Sequence, residues 1–459
     1  MWSYTTTLFN TLRIGQIYPT RILRNFTLKL FWNHYSSIRQ WSSCLQHSPT
    51  VNNKSFQDKL FRQYIYESLY ATDKGYFMDA SKGPPLKETT SSIPFQELTG
   101  SEQYYSLVAQ RYAKQPNNWS TPVELFQPWY GYAIARWIEQ VVQESFDRQQ
   151  LSQEWHIVEV GGGNGSLAES ILDYAKENYS QQLYHSLRYD MIEISPLFVE
   201  RQQRRLNAYS DCVSIHSMSI LDWSKTIRAP CILLFCEVLD NLPHDRIEWD
   251  NQTKTWHQCL VRETEDSLSN HAFTIVRSPL RDDWIVTTMH DWKLLDGLVP
   301  HISWRWIREN PYYWLYYLQS IVDRLLFSSS SCVVYVPTVA HQMLNCVRRY
   351  FPQSHLLIAD FDFLPQATRG IFAPVVQNGT KTFASIEEPM KASCDILFPV
   401  YFSGLSYAIH RLWNSVHIQI EKQSKFLEKY ADLEYTRTKS GFNPLLSDFT
   451  NTCILTTWG

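Results

Sequence analysis

The chain has 459 residues, of which 44% are hydrophobic and 15% aromatic, and its net charge is −3 with histidine neutral. This composition excludes a disordered chain, and the length allows two or three domains around a large buried core. The nine cysteines occur singly, with no C-x-x-C pair and no cysteine–histidine cluster at zinc spacing, so neither a disulfide scaffold nor a structural metal site is expected.

The first 50 residues differ in composition from the rest of the chain. They contain no Asp or Glu, are rich in Ser, Thr, Leu and aromatic residues, and carry the basic residues Arg13, Arg21, Arg24, Lys29 and Arg39. Such a segment is typical of a mitochondrial transit peptide, which we assign to residues 1–50, with cleavage between about residues 35 and 55. A basic solvated tail is the alternative. The prediction places the mature protein in the mitochondrial matrix.

Without this segment the mature chain is acidic overall, which argues against a broad nucleic-acid-binding face. The purely apolar stretches are short, and Cys231–Cys236 is among the longest. A membrane-spanning helix needs about 20 apolar residues, so no transmembrane segment is expected. The oligomeric state does not follow from the sequence.

Residues 51–150 are predicted to form an N-terminal helical region. Phe56, Leu60, Tyr64 and Leu69 follow helical spacing, and a second helical stretch covers residues 123–146. An α/β core follows over residues 151–243. Its predicted strands, which alternate with helical segments as in a parallel sheet, are residues 155–160, 187–193, 212–216 and 231–236.

A glycine-rich loop follows the first of these strands. Gly161, Gly163 and Gly165 come directly after Glu159 and Val160, and a helix is predicted to begin after them. Glycine permits a sharp turn and a close approach of the backbone to a ligand. The dinucleotide pattern G-x-G-x-x-G requires a third glycine where this chain has Ser166. The spacing E-x-G-x-G-x-G resembles motif I of class I S-adenosylmethionine (AdoMet) methyltransferases, and a glycine-rich turn of another α/β protein is the alternative.

This resemblance implies roles for several residues in AdoMet binding. The three glycines would admit the methionine part of the cofactor, and Glu159 would shape the loop. Glu193, at the end of the second strand, would hold the ribose hydroxyls, and Asp222 is a candidate for the adenine end. The fold that it implies is a Rossmann-like class I methyltransferase sheet with helices on both faces.

The fourth core strand ends in a second motif. Glu237 and Asp240 follow Cys231–Cys236, and ligands of open α/β sheets bind beyond the carboxyl ends of strands. A carboxylate there can hold a guanidinium by charge-assisted bidentate hydrogen bonds, so both residues are catalytic candidates. Acids that interact with a helix dipole are the alternative.

Residues 244–331 are irregular and aromatic-rich, and we interpret them as an insertion that covers the cofactor edge. Its aromatic side chains form either a ligand platform or ordinary packing. Residues 332–459 are predicted to complete the α/β core, with strands 332–336 and 355–361 on either side of a helix at 338–350. The sequence after residue 440 shows no usable pattern.

The segment Glu237–Pro243 resembles the E-V-L-D-A-[LM]-P motif of the MidA-like methyltransferases. Further segments resemble this family's N-terminal, T-[ST]-P-E, V-E-x-S-P and C-terminal motifs; they are residues 61–77, 120–124, 192–196, 373–377 and 394–399. The family includes a mitochondrial protein arginine methyltransferase that acts in complex I assembly. The resemblance therefore implies that the protein substrate is a complex I subunit and that the reaction is symmetric dimethylation of one of its arginines.

Several positions depart from the family pattern, including Asp245 where members commonly read V-H-R and this chain reads His244–Arg246. Asn164 stands in the glycine loop where many members have a basic residue, and Cys236 precedes the second motif where Asn is usual. Two other functions stay open. One is AdoMet-dependent methylation of a small molecule or of RNA. The other is a catalytically degenerate methyltransferase fold that serves as an assembly scaffold.

Overall fold

A computed structural model describes most of the chain after residue 57. The described residues are 58–72, 74–81, 86, 92–113, 121–145, 154–264, 272–295, 332–365, 368–379, 381–388, 391–413 and 416–458. The predicted transit peptide, residues 1–50, and the segment 296–331 of the predicted aromatic insertion lie outside them. In the described chain, no helix combines the length and the apolar character needed to cross a bilayer.

The described chain alternates helices and strands. The strands are β1 Lys59–Leu60, β2 Trp155–Val160, β3 Leu187–Glu193, β4 Val213–Ser217, β5 Cys231–Cys236, β6 Asp245–Asp250, β7 Thr255–Thr264, β8 Ala272–Pro279, β9 Val333–Val336, β10 Ser354–Phe361, β11 Val375–Asn378, β12 Lys381–Phe383, β13 Asp395–Leu397, β14 His417–Lys422 and β15 Thr452–Trp458. The α-helices are α1 Phe61–Tyr70, α2 Ser101–Ala113, α3 Pro122–Leu125, α4 Trp129–Ser145, α5 Ser166–Asn178, α6 Gln181–His185, α7 Pro196–Arg205, α8 Asp283–Asp291, α9 Thr338–Tyr350, α10 Phe402–Leu412, α11 Gln423–Tyr430, α12 Leu433–Thr436 and α13 Pro444–Ser447.

The principal sheet has the strand order β14-β15-β10-β5-β2-β3-β4. The five strands from β10 to β4 are parallel, whereas β15 runs antiparallel to β10 and β14 antiparallel to β15. The predicted parallel α/β sheet is therefore confirmed. The third predicted strand begins one residue later than expected, at Val213. The strand β15 was not predicted, because both of its faces are buried and its polar threonines hide the apolar pattern.

Both faces of the principal sheet are covered, as a parallel sheet requires. Along β5 and β10, Leu234 and Leu357 point into one hydrophobic core, while their neighbours Leu233 and Ile358 point into a second core on the opposite face. On the first face α4 packs closely against α5. A Cβ atom placed on Gly131 would lie 2.4 Å from the Cβ of Ser170, so glycine allows these two helices to approach.

The helical stretch predicted over residues 123–146 is divided. Helix α3 ends at Leu125, and α4 begins at Trp129. Pro128 lies between them, and proline lacks the N–H that a continuous helix would use. Thr121 caps α3, because its hydroxyl accepts a hydrogen bond from the amide of Glu124. This short capped helix directs Glu124 toward the glycine loop.

A second, antiparallel sheet has the order β1-β7-β6-β9, with β8 also paired to β7. It contains most of the described part of the predicted insertion, including the edge-to-face pair Trp249 and Trp256. The strand β9 pairs with β6, with Ile247 opposite Val334. Residues from 332 onward were predicted to complete the α/β core. This prediction is wrong for β9, which belongs to the second sheet. A third small sheet has the order β12-β11-β13.

Candidate active site

A cavity opens beyond the carboxyl ends of the parallel strands. The segment after each of four strands contributes to its wall; these segments are residues 160–163 after β2, 193–195 after β3, 218–221 after β4 and 236–238 after β5. Side chains from the N-terminal region, among them Tyr66, Tyr70 and Glu124, close its other side. This is the edge of an open α/β sheet at which ligands bind.

The glycine loop forms the floor of this cavity. Gly161 and Gly163 line it with positive φ angles of 67° and 49°, which side chains rarely tolerate. A Cβ atom on Gly163 would also lie 2.8 Å from Cδ2 of Leu86. Gly165 has φ 79° and occupies the N-cap position of α5, outside the cavity lining. The structure therefore places Gly165 at the start of the helix, and its role in cofactor binding stays a prediction.

Glu159 lies at the end of β2 beneath the loop. Its carboxylate accepts a hydrogen bond of 2.7 Å from the hydroxyl of Tyr189 and lines the cavity. A Cβ atom on Gly162 would lie 2.9 Å from Glu159 Oε1, so this side chain supports the loop directly. Burial raises the pKa of Glu159 to about 7. The position agrees with the predicted role of shaping the loop.

Glu193 ends β3 and also lines the cavity. Its Oε1 accepts a hydrogen bond from the amide of Ser195 at 2.9 Å, and Gln202 Nε2 lies 3.4 Å from Oε2. Gln202 donates from the same nitrogen to the carbonyl of Gly163 at 2.9 Å and so connects the glycine loop to Glu193. Burial raises the pKa of Glu193 to about 7. A carboxylate at this strand end can accept hydrogen bonds from ribose hydroxyls.

Glu237 follows β5 and lines the cavity from the opposite side. It is a non-glycine residue in the left-handed region, with φ 55°, a conformation that clusters at functional sites. Within the described residues its carboxylate forms no hydrogen bond or ion pair. Burial raises its pKa well above the usual value, and the charges of Asp360 and Glu124 raise it further. This carboxyl group therefore has no positively charged partner among the described residues. A cationic ligand that enters the cavity could become that partner.

Two predicted site residues do not reach the cavity. Asp240 is only 2% exposed, lies outside the lining, and its Oδ1 has no hydrogen-bond partner among the described residues. Asp222 is exposed, and the cavity is lined instead by the residues before it, up to Leu221. Both residues therefore lie outside the cavity lining, with Asp240 buried after the turn at 237–240 and Asp222 exposed at the end of the short helix Ile220–Asp222. Their predicted roles stay predictions.

Glu124 is a cavity residue to which the sequence did not assign a role. It is 1% exposed, and its Oε1 accepts hydrogen bonds from Asn164 Nδ2 at 3.0 Å and Ser166 Oγ at 2.6 Å. Arg201 Nη1 in turn donates to Asn164 Oδ1 at 2.6 Å. The amide of Asn164 therefore bridges a carboxylate and a guanidinium. The segment 120–124 carried a family resemblance, which was the available signal for Glu124.

The cavity lining is rich in carboxylic acids. Four carboxylic acids line it, namely Glu124, Glu159, Glu193 and Glu237, and none of the described lining residues is Lys, Arg or His. Among the described residues there is no group of three or more acidic, Cys or His side chains arranged to hold a metal ion. Because a nearby positive charge stabilises the ionised form of a carboxylic acid, such a lining favours a cationic ligand.

The chain was compared with known proteins. A family model described as an S-adenosyl-L-methionine-dependent methyltransferase matches residues 133–418. A crystal structure of a protein from Burkholderia thailandensis bound to S-adenosyl-homocysteine is similar with a TM-score of 0.55 and 14% identity, covering 88% of each chain. A native crystal structure of an uncharacterized protein of the same superfamily and organism has a TM-score of 0.54 and 12% identity, covering 88% of this chain and 87% of that one. No curated protein matches the sequence.

The sheet, the glycine loop after β2 and the carboxylate after β3 define a class I AdoMet-dependent methyltransferase. The family model covers more than half of the chain, so the chain belongs to this family, the MidA-like methyltransferases. AdoMet is therefore its cofactor. Gly161, Gly163 and Glu193 line the cavity and would hold it, and a Cβ atom on either glycine would crowd a neighbouring side chain of the lining. When bound, AdoMet supplies a methyl group attached to a positively charged sulfonium.

Proposed function

We propose that this methyltransferase modifies a side-chain nitrogen of arginine in a protein substrate. The observation that carries the proposal is the carboxylate of Glu237, which lines the cavity and forms no hydrogen bond or ion pair with any described residue. A guanidinium presents a fork of N–H donors that matches a carboxylate. The absence of Lys, Arg and His from the described lining favours a cationic acceptor over an anionic one.

The chemistry explains why a carboxylate is needed. Free arginine is a poor nucleophile, because its pKa exceeds 12 and its lone pairs are delocalised. Glu237 pins the guanidinium and draws positive charge away from the attacking nitrogen. Burial and the neighbouring Asp360 and Glu124 raise the pKa of Glu237, so a bound cation would stabilise its ionised form. Positioning of acceptor and donor then accounts for a large part of the rate.

The resemblance to the MidA-like family supports a more specific role. By that resemblance the substrate is a subunit of respiratory complex I, the product is symmetric dimethylarginine, and the methylation assists assembly of the complex in the mitochondrial matrix. The acid-free, Arg-rich segment 1–50 supports import into mitochondria. The acidic cavity disfavours an RNA acceptor, because nucleic acids are bound by basic surfaces.

Substitution of Glu237 tests the proposal. The mature chain is incubated with tritiated AdoMet and with proteins from mitochondria that lack this chain. Methylarginine is then quantified. Glu237→Gln keeps the shape but removes the charge, so we expect methyl transfer to fall by about 100-fold or more, with AdoMet affinity nearly unchanged. Asp222→Asn is the matched control, because this carboxylate lies near the cavity but outside its lining.

Each alternative predicts a different result. Methylation of a small molecule would place the tritium in the protein-free fraction. A degenerate scaffold would transfer no label while still supporting assembly of the complex. Equal methyl transfer by wild type and Glu237→Gln would overturn the role of Glu237.

A further inference from the structure

Asp360 lies in β10 directly beside the turn that carries Glu237, and its side chain is completely buried. Its Oδ2 accepts hydrogen bonds from the backbone amides of Leu239 at 2.9 Å and of Asp240 at 3.3 Å. Its Oδ1 accepts a further bond of 2.7 Å from the amide of Phe361. A carboxylate that receives several amides is held in one orientation. Asp360 therefore fastens the turn to the end of β10.

The turn needs such a constraint because Glu237 has a left-handed backbone conformation, with φ 55°. A non-glycine residue stays in this region only where its surroundings hold it there. Two neighbouring residues of β10 hold the turn by hydrogen bonds. The amide of Glu237 donates to the carbonyl of Ala359 at 2.9 Å, and the next residue, Asp360, binds the amides that follow.

We propose that Asp360 is a positioning residue for the acceptor site, which holds the turn at 237–240 so that the carboxylate of Glu237 faces the cavity. The inference rests on the proposed function, because it takes Glu237 as the group that binds the arginine. Asp360 lies outside the cavity lining and acts through the turn. The same turn directs the side chain of Asp240 inward, away from the cavity.

Asp360 also sets the electrostatic environment of Glu237. Acidic groups face Glu237 from several elements: Asp360 on β10, Glu124 on α3 and Asp240 on the turn itself, while the hydroxyl of Tyr130 on α4 lies close by. Burial is the largest cause of the raised pKa of Glu237, and Asp360 is the next. Removal of the Asp360 charge should therefore lower the pKa of Glu237 and let it ionise at lower pH.

Two substitutions separate the charge of Asp360 from its hydrogen bonds. Asp360→Asn removes the charge but keeps an oxygen that can accept from Leu239 and Asp240. Asp360→Ala removes both. Asp362→Asn is the matched control, because Asp362 follows the last residue of the same strand and pairs with Lys422 at 2.6 Å.

The first readout does not depend on arginine methylation. The full-length protein labelled with ¹³C at glutamate carboxyl carbons is titrated by NMR, and the signal of Glu237 is assigned by its absence from Glu237→Gln. We expect Asp360→Asn to move the Glu237 midpoint about one pH unit lower and Asp362→Asn to leave it unchanged. An unchanged midpoint in folded Asp360→Asn would overturn the electrostatic effect of Asp360 on Glu237.

The second readout is the pH profile of kcat/KM for arginine methylation, whose rise with pH reports the ionisation of Glu237. We expect Asp360→Asn to move this rise to lower pH, and Asp360→Ala to lower kcat/KM about tenfold or more at every pH while AdoMet affinity is retained. Wild-type kcat/KM in Asp360→Ala would contradict a positioning role. If the wild type methylates no arginine, the proposed function fails, and the NMR titration still decides the effect of Asp360.

Discussion

At the scale of single residues, the sequence predicts which side chains lie at the strand ends. It predicts less well the direction in which each side chain points. Glu159, Glu193 and Glu237 each end or follow a parallel strand, and all three line the cavity. Asp240 was predicted from the same motif, but a single left-handed residue before it turns the chain so that it is buried behind the wall. The direction of a side chain after a strand depends on such local dihedral angles, which the sequence does not show.

The glycine loop permits a test at the same scale. Gly163→Val should abolish AdoMet binding, because the side chain strains a positive φ of 49° and its Cβ would meet Leu86 at 2.8 Å in the cavity. Isothermal titration calorimetry on the mature chain measures this affinity. Gly441→Val is the matched control, since Gly441 has a φ of 89° but no atom within 4 Å of the added Cβ. If both variants bind AdoMet as the wild type does, the loop is not the cofactor site.

At the scale of elements, the periodic segments were predictable and the segments without a period were not. The core strands β2, β3 and β5 were predicted at the residues where they occur, since each is a strand-length segment with several apolar residues between loops. The strand β15 escaped prediction, because the threonines of Thr452–Trp458 are buried between β10 and β14. The pairing of β9 with β6 across a long stretch of chain is a tertiary choice that no local pattern reveals.

Arg62 makes a buried ionic contact between helix α1 and the rest of the protein. Arg62 binds Asp245 of β6 at 2.5 Å and Asp282, the N-cap of α8, at 2.8 Å, and Asp245 is completely buried. Arg62→Ala leaves this charge without its partner, so we expect a loss of about 3–5 kcal/mol in the free energy of unfolding. Urea denaturation followed by circular dichroism measures the change.

The control for this measurement is Arg262→Ala. Arg262 pairs with Asp58 at 2.7 Å, but its side chain is 44% exposed. Because exposed ion pairs contribute little, the midpoint of unfolding should hardly move. Similar losses in the two variants would show that burial of Asp245 does not determine the stability of this joint.

At the scale of the whole molecule, fold and cofactor follow from physical patterns, whereas the acceptor depends on one cavity. Strand alternation predicted a parallel α/β sheet, and the resemblance of the glycine loop to motif I implied the class I methyltransferase fold, which the family model and the related crystal structures confirm. Glu124 and Asp360 reach the cavity and the turn from distant parts of the chain, at α3 and β10. When a site is assembled from such separate elements, the sequence predicts only the site residues that lie within its individual motifs.

The most direct test of the central claim is quantitative mass spectrometry of arginine methylation in mitochondria. Cells lacking this chain are complemented with the wild type or with Glu237→Gln, and methylated arginines of complex I subunits are compared. We predict at least one symmetric dimethylarginine that disappears without the chain, returns with the wild type and does not return with Glu237→Gln. Arginine methylation that is unchanged by loss of the chain, or restored equally by both forms, would contradict the account.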